Sequence, residues 1–292
     1  MSIKIAIASG KGGTGKTTVS VNLFHFIKEN ITQSVQLVDC DVEEPNDAIF
    51  FPNYQVQEVI DVNQLIPTID HVKCTYCRKC VEYCEFNAIV IIASKHYADV
   101  NPALCHSCGA CAYICPENAI EEKAHLIGEI QPFNNSCQPP LLEGRLVIGS
   151  PMQTMVIKDL VNSSLLKADI QLLDAPPGTS CPVVATLSQT DYTILVTEPS
   201  PFGLHDLKLM IELLHEIKQP FGVVINKADD QFPEMEEYLL KSNIEVIGKI
   251  PFSTNYAYLY AQGKILQNIS EDIQKVYEQI LTQINSKVQI YA

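Results

Sequence analysis

The 292-residue chain has no tryptophan and few basic residues: 20 Lys and Arg stand against 34 Asp and Glu, a formal charge of −14. A surface this acidic repels phosphate backbones and anionic lipid, which argues against a nucleic-acid partner and against stable membrane association. Uninterrupted apolar runs of roughly 18 residues, the length needed to span a bilayer, are missing as well. The N-terminal MSIKIAIASG has no charged leader ahead of a long apolar stretch, so it does not read as a signal peptide. These lacks lead to the expectation of a soluble, cytoplasmic protein. Cysteine is what the chain has in excess. Eleven are many for a reducing compartment, where disulfides are disfavoured and clustered thiols point to metal. Eight lie between positions 74 and 115, while Cys40, Cys137 and Cys181 stand alone.

Hydrophobic patterning predicts alternating strands and helices. Strands are expected at residues 3–8, 35–38, 146–148, 170–173, 192–196, 221–225 and 245–250. Helices are expected at 16–29, 155–164, 204–217 and 232–242, and a last one carries the stripe Ile273, Val276, Tyr277, Ile280, Leu281, Ile284. This is the grammar of a doubly wound, mostly parallel α/β sheet. The cysteine-rich block interrupts it. The expected organisation is a discontinuous α/β domain over 1–65 and 125–292, with a small α+β module inserted over 66–124.

The stretch SGKGGTGKTT, residues 9–18, contains a complete phosphate-binding loop between the first strand and the first helix. Gly10, Gly12, Gly13, Thr14 and Gly15 let the backbone wrap a phosphate with its N–H groups. Lys16 supplies charge to the β- and γ-phosphates, the Thr17 hydroxyl can ligate Mg²⁺, and Thr18 continues into the helix. Asp39 and Asp41, in LVDCDVEEPN, and Asp174, in LLDAPPGTS, end apolar strands, where side chains point to the ligand crevice of an open α/β sheet. Asp174 fits the role of holding Mg²⁺ through water.

The cysteines form two runs, Cys74-x-x-Cys77-x-x-Cys80-x-x-x-Cys84 and Cys105-x-x-Cys108-x-x-Cys111-x-x-x-Cys115-Pro116. This is the bacterial ferredoxin spacing, in which the fourth cysteine of each run ligates the other cluster. Cys74, Cys77, Cys80 and Cys115 are expected to hold one [4Fe–4S] cluster. Cys84, Cys105, Cys108 and Cys111 are expected to hold the second. "NAI" follows each run, at 87–89 and 118–120, which makes the block an internal repeat. Glu85 stands where the first run would usually carry proline. Tetrahedral zinc, which also takes four thiolates, is the alternative, and aerobic handling could leave zinc or empty sites.

KGGTGKTT, the DCD pair and DAPPGT together resemble the deviant-Walker-A ATPases, among them MinD, ParA, the nitrogenase iron protein and the Mrp-type iron–sulfur carriers. With the cysteine block, the chain resembles the ferredoxin-inserted members of the MinD superfamily. The resemblance implies a P-loop NTPase fold and slow, partner-stimulated hydrolysis of ATP. It implies a homodimer, or a heterodimer with a paralogous ATPase. Within it, Lys11 is the signature lysine that reaches the phosphates of the partner's ATP, and Asp41 positions the attacking water. Asp39 stands behind the Mg²⁺, Asn226 in VINKAD contacts adenine, and Pro251 lies where backbone touches the base. The function implied is ATP-dependent electron transfer or metallocluster assembly and delivery to a client protein. A spatial organiser of the MinD/ParA kind with redox-sensing clusters is the alternative, and a purely structural cluster domain a third. By the resemblance to the nitrogenase iron protein, Cys181 is a docking point for a cluster near a dimer axis, with Cys137 as the candidate second ligand. The plainer reading of Cys181 is a small buried residue at a helix start, ahead of Pro182.

Overall fold

Strand β1 (Ile3–Ala8) alternates large and small side chains, and its two faces pack into different cores. Ile5 and Ile7 face one, Ala6 and Ala8 the other. That is what period-two geometry requires of a strand covered by helices on both sides. The computed structural model describes residues 2–134, 138–229, 232–267 and 269–289. The chain divides into two compact units, one of residues 1–60, 130–145 and 153–292, the other of 61–129 and 146–152.

In chain order, β1 is followed by α1 (Lys16–Asn30) and β2 (Val35–Asp39). Strand β3 (Ile60–Ile69) leads into the second unit, which holds α2 (Lys79–Glu82), β4 (Ile89–Ile92), β5 (Tyr97–Val100) and α3 (Ala110–Ile114). Strand β6 (Ile120–Phe133) begins in the second unit and ends in the first. Then come β7 (Leu141–Leu146), α4 (Gln153–Val161), β8 (Ile170–Asp174), α5 (Cys181–Leu187) and β9 (Tyr192–Thr197). The chain continues with α6 (Pro201–Glu216), β10 (Phe221–Ala228), α7 (Glu234–Lys241), β11 (Val246–Pro251), α8 (Thr254–Ala261) and α9 (Glu271–Val288).

In the first unit the strand order is β11-β10-β9-β1-β8-β2-β7, and every pairing in that series is parallel. One face carries Ile5, Ile7, Leu37, Leu172 and Ile194 against α1 and the Ile273, Tyr277, Ile280, Ile284 stripe of α9. The other packs against Val183 and Leu187 of α5, Leu207, Met210 and Leu214 of α6, and Met235 and Leu239 of α7. Each such large side chain buried contributes about 1.5–3 kcal/mol. The α/β sheet with parallel strands is therefore as the sequence predicts. The order changes direction between β1 and β8, whose carboxyl ends deliver the phosphate loop and Asp174, so the ligand crevice falls there.

One strand is a correction. The sequence reading puts it at 146–148, whereas β7 runs Leu141–Leu146, and Leu37, Val38 and Asp39 of β2 pair with Leu141, Leu142 and Glu143. Glu143 and Gly144 break the apolar run and hide the strand from a hydrophobicity reading. In the fold Glu143 is fully buried and ion-paired with Arg145. Gly144 admits a close neighbour: a Cβ there would lie 2.7 Å from Val42 Cγ1 and 3.0 Å from Leu160 Cδ2.

In the second unit β3 neighbours β6, and β4 and β5 form an antiparallel hairpin. Its apolar interior is small. Ile69, Ile89, Ile91 and Ala98 pack with Cys80 and Cys111, and Ile66 and Ala88 pack with Cys105. Cysteine thus stands where larger apolar side chains would fill an ordinary core.

Candidate functional site

The loop after β1 rises to the N-terminus of α1. Gly15 begins that helix with φ 92° and no side-chain cap, so the first amides of α1 are free to bind an anion. A side chain at Gly15 is barred twice over: by the positive φ, and by Asn226 Nδ2, which would lie 2.0 Å from a Cβ. Asn226 is buried at the carboxyl end of β10 and donates from Nδ2 to the Thr14 carbonyl at 2.8 Å. The Gly178 amide donates to the Ser9 carbonyl at 2.9 Å, tying the PPGT turn to the loop.

Beside the loop lies a cavity of about 430 Å³. Lys11, Gly12, Gly13, Gly15, Lys16, Thr17 and Thr18 of the loop and helix line it, with Asp41. Asn226 and Pro251 line it farther on, joined by Phe252, Tyr256 and Tyr260. Tyr260 packs against Phe50 with ring centroids 5.2 Å apart. One end therefore suits phosphate and the other a flat aromatic base.

Beneath the loop is a buried acidic cluster. Lys16 Nζ lies 2.9 Å from Asp174 Oδ1. Thr17 Oγ1 donates to Asp174 Oδ2 at 3.1 Å, and Ser20 Oγ to Asp174 Oδ1 at 2.9 Å. Asp39 accepts from the amides of Asp41, Asn46 and Asp47 at 3.0, 2.8 and 3.0 Å. Burial would pull the Lys16 ammonium down, but the Asp174 carboxylate outweighs it and holds the amine charged. Burial, then the charge of Asp174, pushes Asp39 up to about 7. Asp41 is raised too, mainly by partial burial.

Asp47 was not legible in the sequence. It opens a 3₁₀ turn, residues 47–50, and is wholly buried with no hydrogen-bond partner on either carboxylate oxygen. Burial, then the charges of Asp39 and Asp174, drives its pKa well above the ordinary carboxylate range. Oxygens of Asp39, Asp47 and Asp174 all lie within 4.8 Å of one another. With the Thr17 hydroxyl alongside, this all-oxygen donor set fits a hard divalent cation such as Mg²⁺.

Lys11 is held within its own chain. Its Nζ lies 2.8 Å from Glu198 Oε1, while Lys227 Nζ lies 2.9 Å from Glu198 Oε2 and donates to the Gly13 carbonyl at 2.8 Å. Against its partial burial, the two lysines hold the Glu198 carboxyl below its usual range. Glu198 and Lys227 were missed as well. The only sequence signal was position: each follows a parallel strand's carboxyl end or lies at it.

In the second unit the eight cysteines line two separate cavities. Cys74, Cys77, Cys80 and Cys115 line one, and Cys84, Cys105, Cys108 and Cys111 the other. The amides of Ala88 and Ala119 donate to Cys84 Sγ and Cys115 Sγ, each at 3.3 Å, so the repeat extends to hydrogen bonding. Burial raises the Cys80, Cys105 and Cys111 thiols, Cys111 to about 11, and charge on the neighbouring cysteines adds to it. A metal cation bound there would displace those protons. All ten described cysteines are free of disulfides.

Cys181 is a correction to the plainer reading: it begins α5 as expected, but it is exposed, because this first-turn position projects away from the sheet that α5 covers with Val183 and Leu187. Cys137 lies outside the described residues. Among the described residues no helix is long and apolar enough to cross a membrane.

Loop, helix N-terminus and strand-end acids together define a P-loop nucleotide-binding protein. The sequence model of the CobQ/CobB/MinD/ParA nucleotide-binding domain matches residues 5–266, and the chain belongs to that family. It is 30% identical over 288 residues to an uncharacterized protein of Methanocaldococcus jannaschii, covering 95% of this chain and 96% of the relative. It is 24% identical to the iron–sulfur cluster carrier protein of Pyrococcus furiosus, over 85% of this chain and 73% of the relative. Among solved structures, the septum site-determining protein MinD of Pyrococcus horikoshii, complexed with Mg-ADP, superposes with a TM-score of 0.57 at 18% identity, covering 100% of this chain and 99% of that one. At that identity the likeness shows a shared fold.

Proposed function

We propose that the chain is a dimeric, Mg²⁺-dependent ATPase whose nucleotide state governs the passage of electrons, or of a metallocluster, between two [4Fe–4S] clusters held by residues 66–124 and a client protein. The observation that carries this reading is the crossed gathering of the cysteines. Each cavity takes three from one run and the fourth from the other, as a two-cluster ferredoxin requires. The spacing of the two runs along the chain, that of a two-cluster ferredoxin, supports iron over zinc. The small interior of the second unit favours a resident cluster as a staple. The clusters supply one-electron capacity, and the cysteines fix where it resides.

At the nucleotide end, the amides of Gly12 to Thr17 and the Lys16 ammonium bind the phosphates, and the wall of Asn226, Pro251 and Tyr260 takes the adenine. Thr17, Asp39 and Asp174 would hold Mg²⁺, which would supply positive charge against the phosphates. Asp41, in the cavity lining, orients the attacking water. Lys11 leaves Glu198 and extends to the phosphates of the partner's nucleotide. The partner is a second copy or a paralogue; Methanocaldococcus jannaschii itself has two relatives, each 30% identical to this chain. Lys11→Ala is expected to retain ATP binding while hydrolysis falls about 10²-fold or more, the scale of removing one preorganised charge from a transition state. Undiminished hydrolysis in that variant would contradict the assignment.

A further inference from the structure

The two cysteine runs are repeats, so their differences carry information. Arg78 in Cys77-Arg78-Lys79-Cys80 and Gly109 in Cys108-Gly109-Ala110-Cys111 occupy the same place. Both adopt left-handed backbone, φ 66° and 73°, and both start a short helix, α2 and α3. Glycine takes that conformation freely, whereas a side chain there is strained. Arginine is nonetheless present, and its guanidinium is fixed: Nη1 donates to the Ile91 carbonyl at 2.7 Å. Arg78, Lys79 and Ile91 all line the cavity of Cys74, Cys77, Cys80 and Cys115. Glu117 lies there too, so apart from the cysteines two cations stand against one carboxylate in that lining.

The other cavity reverses the sign. Gly109 offers no side chain, and the Glu122 carboxylate lies over it: a Cβ on Gly109 would be 3.8 Å from Glu122 Oε2 and 4.0 Å from Oε1. Glu122 lines the cavity of Cys84, Cys105, Cys108 and Cys111, and that lining holds no Lys or Arg. Where the first cavity has a guanidinium from its loop, the second has a carboxylate from β6.

We propose that Arg78 and Glu122 set the two clusters at different reduction potentials, the higher in the cavity of Cys74, Cys77, Cys80 and Cys115. Reduction adds one negative charge to a site already ringed by thiolates. A neighbouring cation favours that charge and a neighbouring carboxylate opposes it. A single electron from a low-potential donor therefore resides in the first cavity, and the second fills only when the first is reduced. The chain thus has an ordered pair of one-electron sites, with Arg78 and Glu122 as positioning charges. This rests on the two-cluster reading above.

The test is a redox titration of the anaerobically purified full-length protein with dithionite and mediators, read by electron paramagnetic resonance, after iron and sulfide have been counted. The wild type is expected to titrate in two waves whose affinities for the electron differ by about tenfold or more, tenfold being 59 mV for one electron. Arg78→Gln should move only the upper wave, to lower potential, and Arg78→Lys should leave it near its original value. Glu122→Gln should move only the lower wave, upward. If Arg78→Gln sheds iron, Glu122→Gln decides alone. Waves that stay in place in a variant with full iron content overturn the proposal. Wild-type protein with far fewer than about eight irons per chain overturns the two-cluster reading itself, and the proposal with it.

Discussion

Glu198 binds two lysines at once, Lys11 and Lys227, at the mouth of the nucleotide cavity. In the proposed dimer, a lysine that reaches the partner's phosphates has first to leave this carboxylate, so Glu198 would oppose dimerisation until ATP supplies a stronger anion. Partly exposed ion pairs contribute roughly 0–1 kcal/mol. Glu198→Gln is accordingly expected to strengthen the ATP-dependent dimer by about two- to fivefold, measured by sedimentation velocity across a protein dilution series. An unchanged or weaker dimer would show that Glu198 does not restrain Lys11. The buried acids make a second claim at this scale. A carboxyl whose pKa is higher in the fold than in the unfolded chain binds its proton more tightly when folded. For Asp39 the stability so gained is complete below about pH 4, and it is lost as pH rises through about 7. Asp47, raised for the same reasons, acts in the same direction. The nucleotide-free protein should thus lose thermal stability between pH 5 and 8. Asp47→Asn should flatten that fall by removing the second carboxyl that contributes to it. Parallel melting-temperature curves for the two proteins would contradict it.

At the scale of elements, what was legible in the sequence is what lies contiguous in it. The phosphate loop is one unbroken stretch from Gly10 to Thr18, and each cysteine run is compact, so both stand out without a structure. Asp47, Glu198 and Lys227 do not. Each owes its place to a partner far along the chain, and an Asp in a turn, a Glu after a strand and a Lys beside an Asn are ordinary taken singly. Strand β7 escaped for a different reason. Hydrophobic patterning reads Glu143 and Gly144 as a break, whereas the fold buries the Glu against Arg145 and uses the missing side chain for close packing. Gly144→Ala should therefore destabilise the first unit by about 1–3 kcal/mol, the cost of overpacking, as read by chemical denaturation. A neutral effect would mean that Val42 and Leu160 yield without strain.

At the scale of the whole molecule, a family nucleotide-binding domain and a cysteine-rich unit share one acidic chain, and the functional claim is that they work together. The nucleotide half has its family, its loop and its cavity. The central claim therefore turns on what the cysteines hold and on which cysteines hold it. The most direct measurement is the iron, acid-labile sulfide and zinc content of protein purified without oxygen, for the wild type and for Cys84→Ser and Cys115→Ser. The account predicts about eight irons and eight sulfides per wild-type chain, with each variant losing the cluster held by the other run's three close cysteines. Stoichiometric zinc with little iron, or each variant losing the cluster of its own run, would contradict it.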